Sequence, residues 1–164
     1  MIHHVVGVDP GLVHTGCVRL VFDPAEKIIS ESHVAIDKDH AAKTRVWVVD
    51  HRIDKNWPHV FIEKYQPRSH LGTDARMATL QGELRAMMPS ATVLLNTGVK
   101  KVVRKPLMEL IEVWSFPTTT HHQDLRSAAR IALYGMLKDP VLNEVLADVV
   151  RDYLNRRPWH VAHD

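Results

Sequence analysis

Apolar residues gather in short runs bounded by turn residues at the head of the chain and recur every third or fourth position further on, and this change of pattern divides the sequence into elements. Val5, Val6 and Val8 read as a buried strand that Asp9 follows directly. Asp9-Pro10-Gly11 reads as a turn, since proline presets its own φ and glycine accepts the angles a reversal needs. Residues 15–22 resume as a second strand, and residues 27–36 alternate as a third behind the Asp23-Pro24 turn. The head of the chain is therefore expected to form a three-stranded antiparallel meander. Residues 37–56 are expected to be helical, with Asp37 or Asp39 as N-cap and an apolar stripe of Ala42, Val46, Val49 and Ile53. Pro58 closes that helix, and residues 59–63 make a short strand that again ends in an acid, Glu63.

Strand, helix, strand is a crossover unit, which favours parallel pairing of the fourth strand with the first. As neighbours, Asp9 and Glu63 emerge side by side at the carboxyl edge of the sheet. Residues 64–73 read as a loop, and residues 74–88 as a helix with Met77, Leu80, Leu84 and Met87 or Met88 on one side, ended by Pro89. Residues 91–96 are a fifth strand, followed by a basic cluster at 98–105, a short helix at 106–113 and a loop at 115–120. Residues 121–137 form a helix capped by the preceding threonines, with Leu125, Ala128, Ala129, Ala132 and Leu133 small or apolar for tight packing. The last helix, residues 140–157, is amphipathic, with Val141, Leu142, Val145, Leu146, Val149 and Tyr153 on its apolar face. There is no internal repeat, low-complexity segment or linker.

Composition narrows the picture. A chain of 164 residues with 45% apolar residues is most simply one domain with a real core. Residues 1–164 are taken as that domain, with 138–164 a helical extension packed on it. A net charge of +2 permits a polyanionic partner without demanding one. Cys17 is the only cysteine, so neither a disulfide framework nor a cysteine zinc site can form within one chain, and a reducing, cytoplasmic setting fits. The chain enters a strand without a basic, apolar leader, and no apolar run approaches a membrane span, so a soluble, unexported protein is expected. The twelve histidines are scattered.

The acids carry the chemistry. His121 and Asp124 stand i, i+3 at a helix start and project from one face. With Asp9 and Glu63 they make four potential ligands. Taken singly, each has a plainer role: Asp9 as the cap of its own turn, His121 as a surface histidine, Asp124 as an acid complementing the helix dipole. Taken together, three carboxylates repel one another, and their shared environment suggests divalent cations. An oxygen-rich set suits Mg²⁺ or Mn²⁺, and an imidazole pulls slightly toward Mn²⁺. Two such ions about 4 Å apart serve phosphodiester hydrolysis, activating a water and stabilising the leaving oxygen.

GVDPGLVHTGCV, FIEKY, LGTDARMATLQGEL, GVKKVV and HHQDLRSAARIAL resemble, in that order, the successive motifs of RuvC-type Holliday junction resolvases of the RNase H-like superfamily. The resemblance covers roughly residues 4–137, and the compact form is similar to virus-encoded members, for which a host cytoplasm would be the setting. It implies an α/β, RNase H-like fold: a five-stranded mixed sheet of order 3-2-1-4-5 flanked by helices. It also implies a homodimer acting as a crossover junction endodeoxyribonuclease, with two Mg²⁺ or Mn²⁺ ions per active site and paired symmetric nicks in four-way and other branched DNA, flaps and forks included. By motif match Asp9, Glu63, His121 and Asp124 fall on the catalytic, metal-binding positions, and Lys100 on an active-site-proximal lysine. Many members have aspartate where His121 stands, and histidine is also found there. Tyr65 lies near the position of an aromatic that stacks or wedges at the junction, although a half-buried loop tyrosine explains it as well. Arg68, Lys101, Arg104 and Lys105 are counted with Lys100 and Tyr65 as DNA contacts, although the cluster of Lys100, Lys101, Arg104 and Lys105 taken alone reads equally as a solvated face. The helix of residues 74–88, with Gly82 at its middle, resembles the family's dimer helix. Gly82 also has a local explanation, as a residue that lets this helix sit close to its own sheet. Two features depart from the pattern: the segment before His121 is short and lacks a glycine-rich stretch, and residues 138–164 extend past the matched core.

Three rivals remain. An RNase H-type enzyme would cut the RNA strand of an RNA–DNA hybrid, and a non-catalytic module would bind junctions without cutting. The sugar-kinase and actin-like ATPases open with a similar Asp-x-Gly hairpin but need a second lobe that 164 residues cannot supply.

Overall fold

Residues 1–26, 28–51, 58–67, 74–116 and 120–156 are described by a computed structural model. The meander expected at the head of the chain is formed by β1 (His3–Asp9), β2 (Thr15–Asp23) and β3 (Ile28–Ile36), antiparallel neighbours in which Asp9 pairs with Gly16 and Thr15 with Ile36. Helix α1 (His40–Asp50) crosses over to β4 (His59–Lys64), which runs parallel to β1 in the register Val5–His59 to Val8–Ile62. Helix α2 (Ala75–Met87) leads to β5 (Thr92–Leu95), parallel to β4. The sheet order is β3-β2-β1-β4-β5, as the motif order implies. Two short helices, α3 (Val99–Val102) and α4 (Lys105–Leu110), precede the long α5 (His122–Lys138) and α6 (Pro140–Arg156).

The period of two along each strand sorts side chains onto two faces. Val5, Val18, Leu20, Phe22 and Phe61 join α5 and α6 in one core cluster. Val6, Val8, Cys17, Val60 and Ile62 join α1 and α2 in the other. Burial pushes the Cys17 thiol up to about 12, so it serves as a neutral packing group. Helix α5 lies very close to the sheet. A Cβ at Gly7 would overlap the Ala128 carbonyl oxygen, and a Cβ at Gly16 would stand 2.5 Å from the Asp124 carbonyl oxygen. Ala128, Ala129 and Ala132, all fully buried, complete this tight seam.

Four expectations change. In α1 the buried residues are Ala41, Thr44 and Val48, whereas Ala42 is exposed and Val46 is 57% exposed; Ile53 lies outside the described residues. The Val-Trp-Val-Val run offers apolar residues on every side, and the sheet selected the face that lets Thr44 meet Cys17, Oγ1 to Sγ, at 3.8 Å. Asp39 is the N-cap, but at φ 51° its side chain makes no capping bond. At α5 the N-cap is His121, with no side-chain cap bond, in place of a threonine. In α6, Leu142, Leu146 and Val149 are buried while Val141 faces solvent, and the Tyr153 side chain is outside the described set. Among the described residues no helix is long and apolar enough to cross a membrane.

Candidate metal centre

Asp9 and Glu63 each stand one residue beyond the last β1–β4 pair, Val8–Ile62. Both continue the strand face that looks toward α5, because Val5 and Gly7 precede Asp9 on that face and Phe61 precedes Glu63. Asp124 comes to meet them from the first turn of α5, where it is acidic residue N3 after the His121 N-cap. Burial raises the Asp9 carboxyl, and the nearby charge of Glu63, a hydrogen bond shared with it and the charge of Asp124 raise it further, to about 8; a hydrogen bond from Ser127 opposes this. Three acids therefore converge on one point at the carboxyl edge of the sheet, where their mutual repulsion is relieved only by a proton or a cation.

Neighbouring amides hold Glu63. Asn96 Nδ2 donates a hydrogen bond to its Oε1, and Gln81 Nε2 donates to its carbonyl at 2.7 Å. His121 stands beside Asp124 rather than beside Asp9 and Glu63, and it has a companion, since its ring lies 4.0 Å, centroid to centroid, from that of His14 at a tilt of 41°. Ligand atoms of His14, His121 and Asp124 all lie within 4.8 Å of one another. The i, i+3 spacing of His121 and Asp124 thus works as an N-cap to N3 relationship, which brings two side chains together just outside a helix.

A cleft of about 550 Å³ opens beside Asp9 and Glu63 and is lined further by Tyr65, Asn96, Lys100 and Lys101. The basic cluster is divided by the break between α3 and α4. Lys100 and Lys101 reach the cleft, whereas Arg104 Nε donates to the Lys101 carbonyl at 3.1 Å, and Lys105 pairs with Glu109 at 3.3 Å and lies 5.2 Å from the centre of the Trp114 ring. Tyr65 lines the cleft and also supports the local structure, because its hydroxyl accepts the Asp74 backbone N–H at 2.9 Å, at the start of α2. Arg68 lies outside the described residues.

Sequence reasoning missed His14, Gln81, Asn96 and Ser127. It also missed a second basic assembly, in which the guanidinium groups of Arg126 and Arg130 lie 4.2 and 5.3 Å from the centre of the Trp114 ring. Only the spacing Arg126–Arg130, one helical turn, signalled that pair; the other four are brought in from separate elements and carried no local mark.

No protein-family model matches the chain, and no curated protein matches it. Among solved structures, RuvC from Thermus thermophilus aligns over 81% of this chain and 92% of its own at 16% identity, with a TM-score of 0.55. The T. thermophilus RuvC in complex with a Holliday junction substrate aligns over 81% and 91% at 15% identity, with a TM-score of 0.54. In fold, then, this chain is similar to RuvC: a five-stranded mixed sheet of order 3-2-1-4-5 flanked by helices, with Asp9, Glu63 and Asp124 gathered at its carboxyl edge.

Proposed function

We propose that this chain is a divalent-metal-dependent endonuclease that resolves four-way and other branched DNA junctions by paired nicks. The observation that carries the reading is the convergence of Asp9, Glu63 and Asp124, with His121 beside Asp124, next to a lysine-lined cleft. Three oxygen donors and an imidazole fit Mg²⁺ or Mn²⁺, and a carboxyl driven up to about 8 by burial and by the charges of Glu63 and Asp124 marks a place where a bound cation relieves repulsion. Asp9, Glu63, His121 and Asp124 would hold two ions, which when bound supply charge neutralisation and water activation for phosphodiester hydrolysis. Ser127 and Asn96 orient the acids, on Asp9 and Glu63 respectively. Lys100 and Lys101 take the DNA phosphates, Lys100 at the reacting strand, with Arg104 and Lys105 further along the backbone. That the similar T. thermophilus RuvC is solved with a Holliday junction substrate supports the same substrate class here.

Two like nicks in one junction call for two such sites related by a twofold axis, which a homodimer provides. Helix α2 is the proposed interface. Among the described residues, no heavy atom of the protomer beyond the helix's own neighbouring backbone lies within 4 Å of where a Cβ at Gly82 would stand, so this glycine does not serve close packing on its own sheet. The reading takes residues 1–164 as one nuclease domain, with α6 and the residues after it an extension.

The test is parallel incubation with a four-way junction, linear duplex, flap and RNA–DNA hybrid in Mg²⁺ or Mn²⁺. Paired nicking of the junction, with linear duplex and hybrid intact, is the expected result. Cleavage of the hybrid alone would make this an RNase H-type enzyme, and tight junction binding without cleavage in either metal would make it a non-catalytic junction-binding module.

A further inference from the structure

We infer that His14 is a ligand of this metal centre, and that His14, His121 and Asp124 together form a position selective for a first-row transition metal over Mg²⁺. The inference rests on the metal-centre reading above and adds to it a residue and a division of labour. His14 sits in the turn between β1 and β2, next to Val13, which is 72% exposed, yet His14 itself is half-buried. The turn is tied internally, with the Thr15 hydroxyl donating to the Gly11 carbonyl at 3.3 Å and lying 3.1 Å from His40 Nδ1. It is also pressed against α5, because Gly16 abuts the Asp124 backbone with no room for a side chain. Docking the turn there brings the His14 ring onto His121 and a ring nitrogen within 4.8 Å of an Asp124 oxygen.

The centre is consequently uneven. Asp9 and Glu63, from the sheet, offer oxygen alone, a hard donor set suited to Mg²⁺. The other side offers two imidazoles and one carboxylate, and imidazole nitrogen favours Mn²⁺, Co²⁺ and Zn²⁺ over Mg²⁺. Asp124 faces both, since its charge also acts on Asp9. One position is thus built for the abundant hard cation and the other for a softer one.

The experiment is Mn²⁺ binding in the presence of excess Mg²⁺, with pulsed electron paramagnetic resonance to count imidazole nitrogens on the bound Mn²⁺. It compares the unaltered protein with His14→Ala and with His14→Phe, which keeps a ring against His121 and removes the nitrogens. Metal-free thermal unfolding of each variant reports its fold. The unaltered protein should show two coordinated imidazoles. Both variants should show one, with Mn²⁺ affinity lower by at least the roughly 10-fold that losing a mere outer-shell partner of a ligand costs, and Mg²⁺ binding at the oxygen position unchanged. Unchanged nitrogen count and affinity in both variants would overturn the inference and leave the metal centre standing. Absence of any Mn²⁺ or Mg²⁺ binding by the unaltered protein would overturn the metal-centre reading itself.

Discussion

Gln81 grips the chain directly after the Glu63 side chain, on both sides of Lys64: its Nε2 donates to the Glu63 carbonyl at 2.7 Å, and its Oε1 accepts the Tyr65 backbone N–H at 3.1 Å. One amide on α2 therefore holds the end of β4, and with it the acid that the strand delivers to the cleft. Gln81→Ala leaves two backbone groups without this partner, a loss of about 1–3 kcal/mol. Junction cleavage should fall further than junction affinity, because the Glu63 carboxylate loses its fixed position while the lysines stay in place. Thermal unfolding, single-turnover cleavage and binding titrations on the same samples check this; equal losses in rate and affinity would make Gln81 a stability residue only.

Asp9→Asn should abolish cleavage, leave junction affinity intact or improved, and stabilise the metal-free protein at neutral pH. In the folded chain the Asp9 carboxyl keeps its proton up to about 8, against 3.8 for the ordinary group. Between those values the folded state holds a proton that the unfolded chain has released, so stability declines as pH rises and the loss is complete above the folded value. Asparagine has no such proton to lose. Metal-free melting curves across this range should slope downward for the unaltered protein and more weakly for Asp9→Asn, and Mg²⁺ should raise the melting temperature of the former more. Identical slopes would remove Asp9 from the buried cluster.

Lys100 and Lys101 reach the cleft, whereas Lys105 is engaged by Glu109 and Trp114. Changing Lys100 and Lys101 together to alanine should flatten the salt dependence of junction binding by about two units of log–log slope, roughly one per lost phosphate contact. Lys105→Ala should change it less. Titrations at several salt concentrations measure both slopes, and a larger effect from Lys105 would shift the DNA path toward α4.

If α2 is the dimer interface, as proposed, Gly82→Leu should leave the protomer folded and weaken its self-association. The glycine faces open space among the described residues, where an added Cβ meets nothing within 4 Å, and the helix gains up to about 1 kcal/mol of propensity. Sedimentation should show a shift toward monomer, with paired nicks uncoupled or lost. A dimer of ordinary strength that still nicks in pairs would place the interface away from α2.

Much was determined by the sequence alone, for a physical reason. The buried apolar run of β1, the reversal after Asp9, the crossover that favours pairing β4 parallel to β1 and the small-residue face of α5 are all local patterns, each imposed by backbone geometry on nearby residues. From them followed the antiparallel meander and the meeting of Asp9 with Glu63, while the full sheet order was what the resemblance to RuvC-type resolvases implied. The tertiary structure decided what lies between elements. Which side of α1 is buried depended on the fit of Thr44 to Cys17, since its apolar run marks no single face. The linear basic run was divided because the chain turns between α3 and α4. His14, Gln81, Asn96 and Ser127 joined the candidate site only when a turn, two helices and a loop were packed around the carboxyl edge of the sheet. The closeness that made this possible came from Gly7 and Gly16, whose missing side chains let α5 settle onto the strands, and that role is invisible until the backbone facing them is in place.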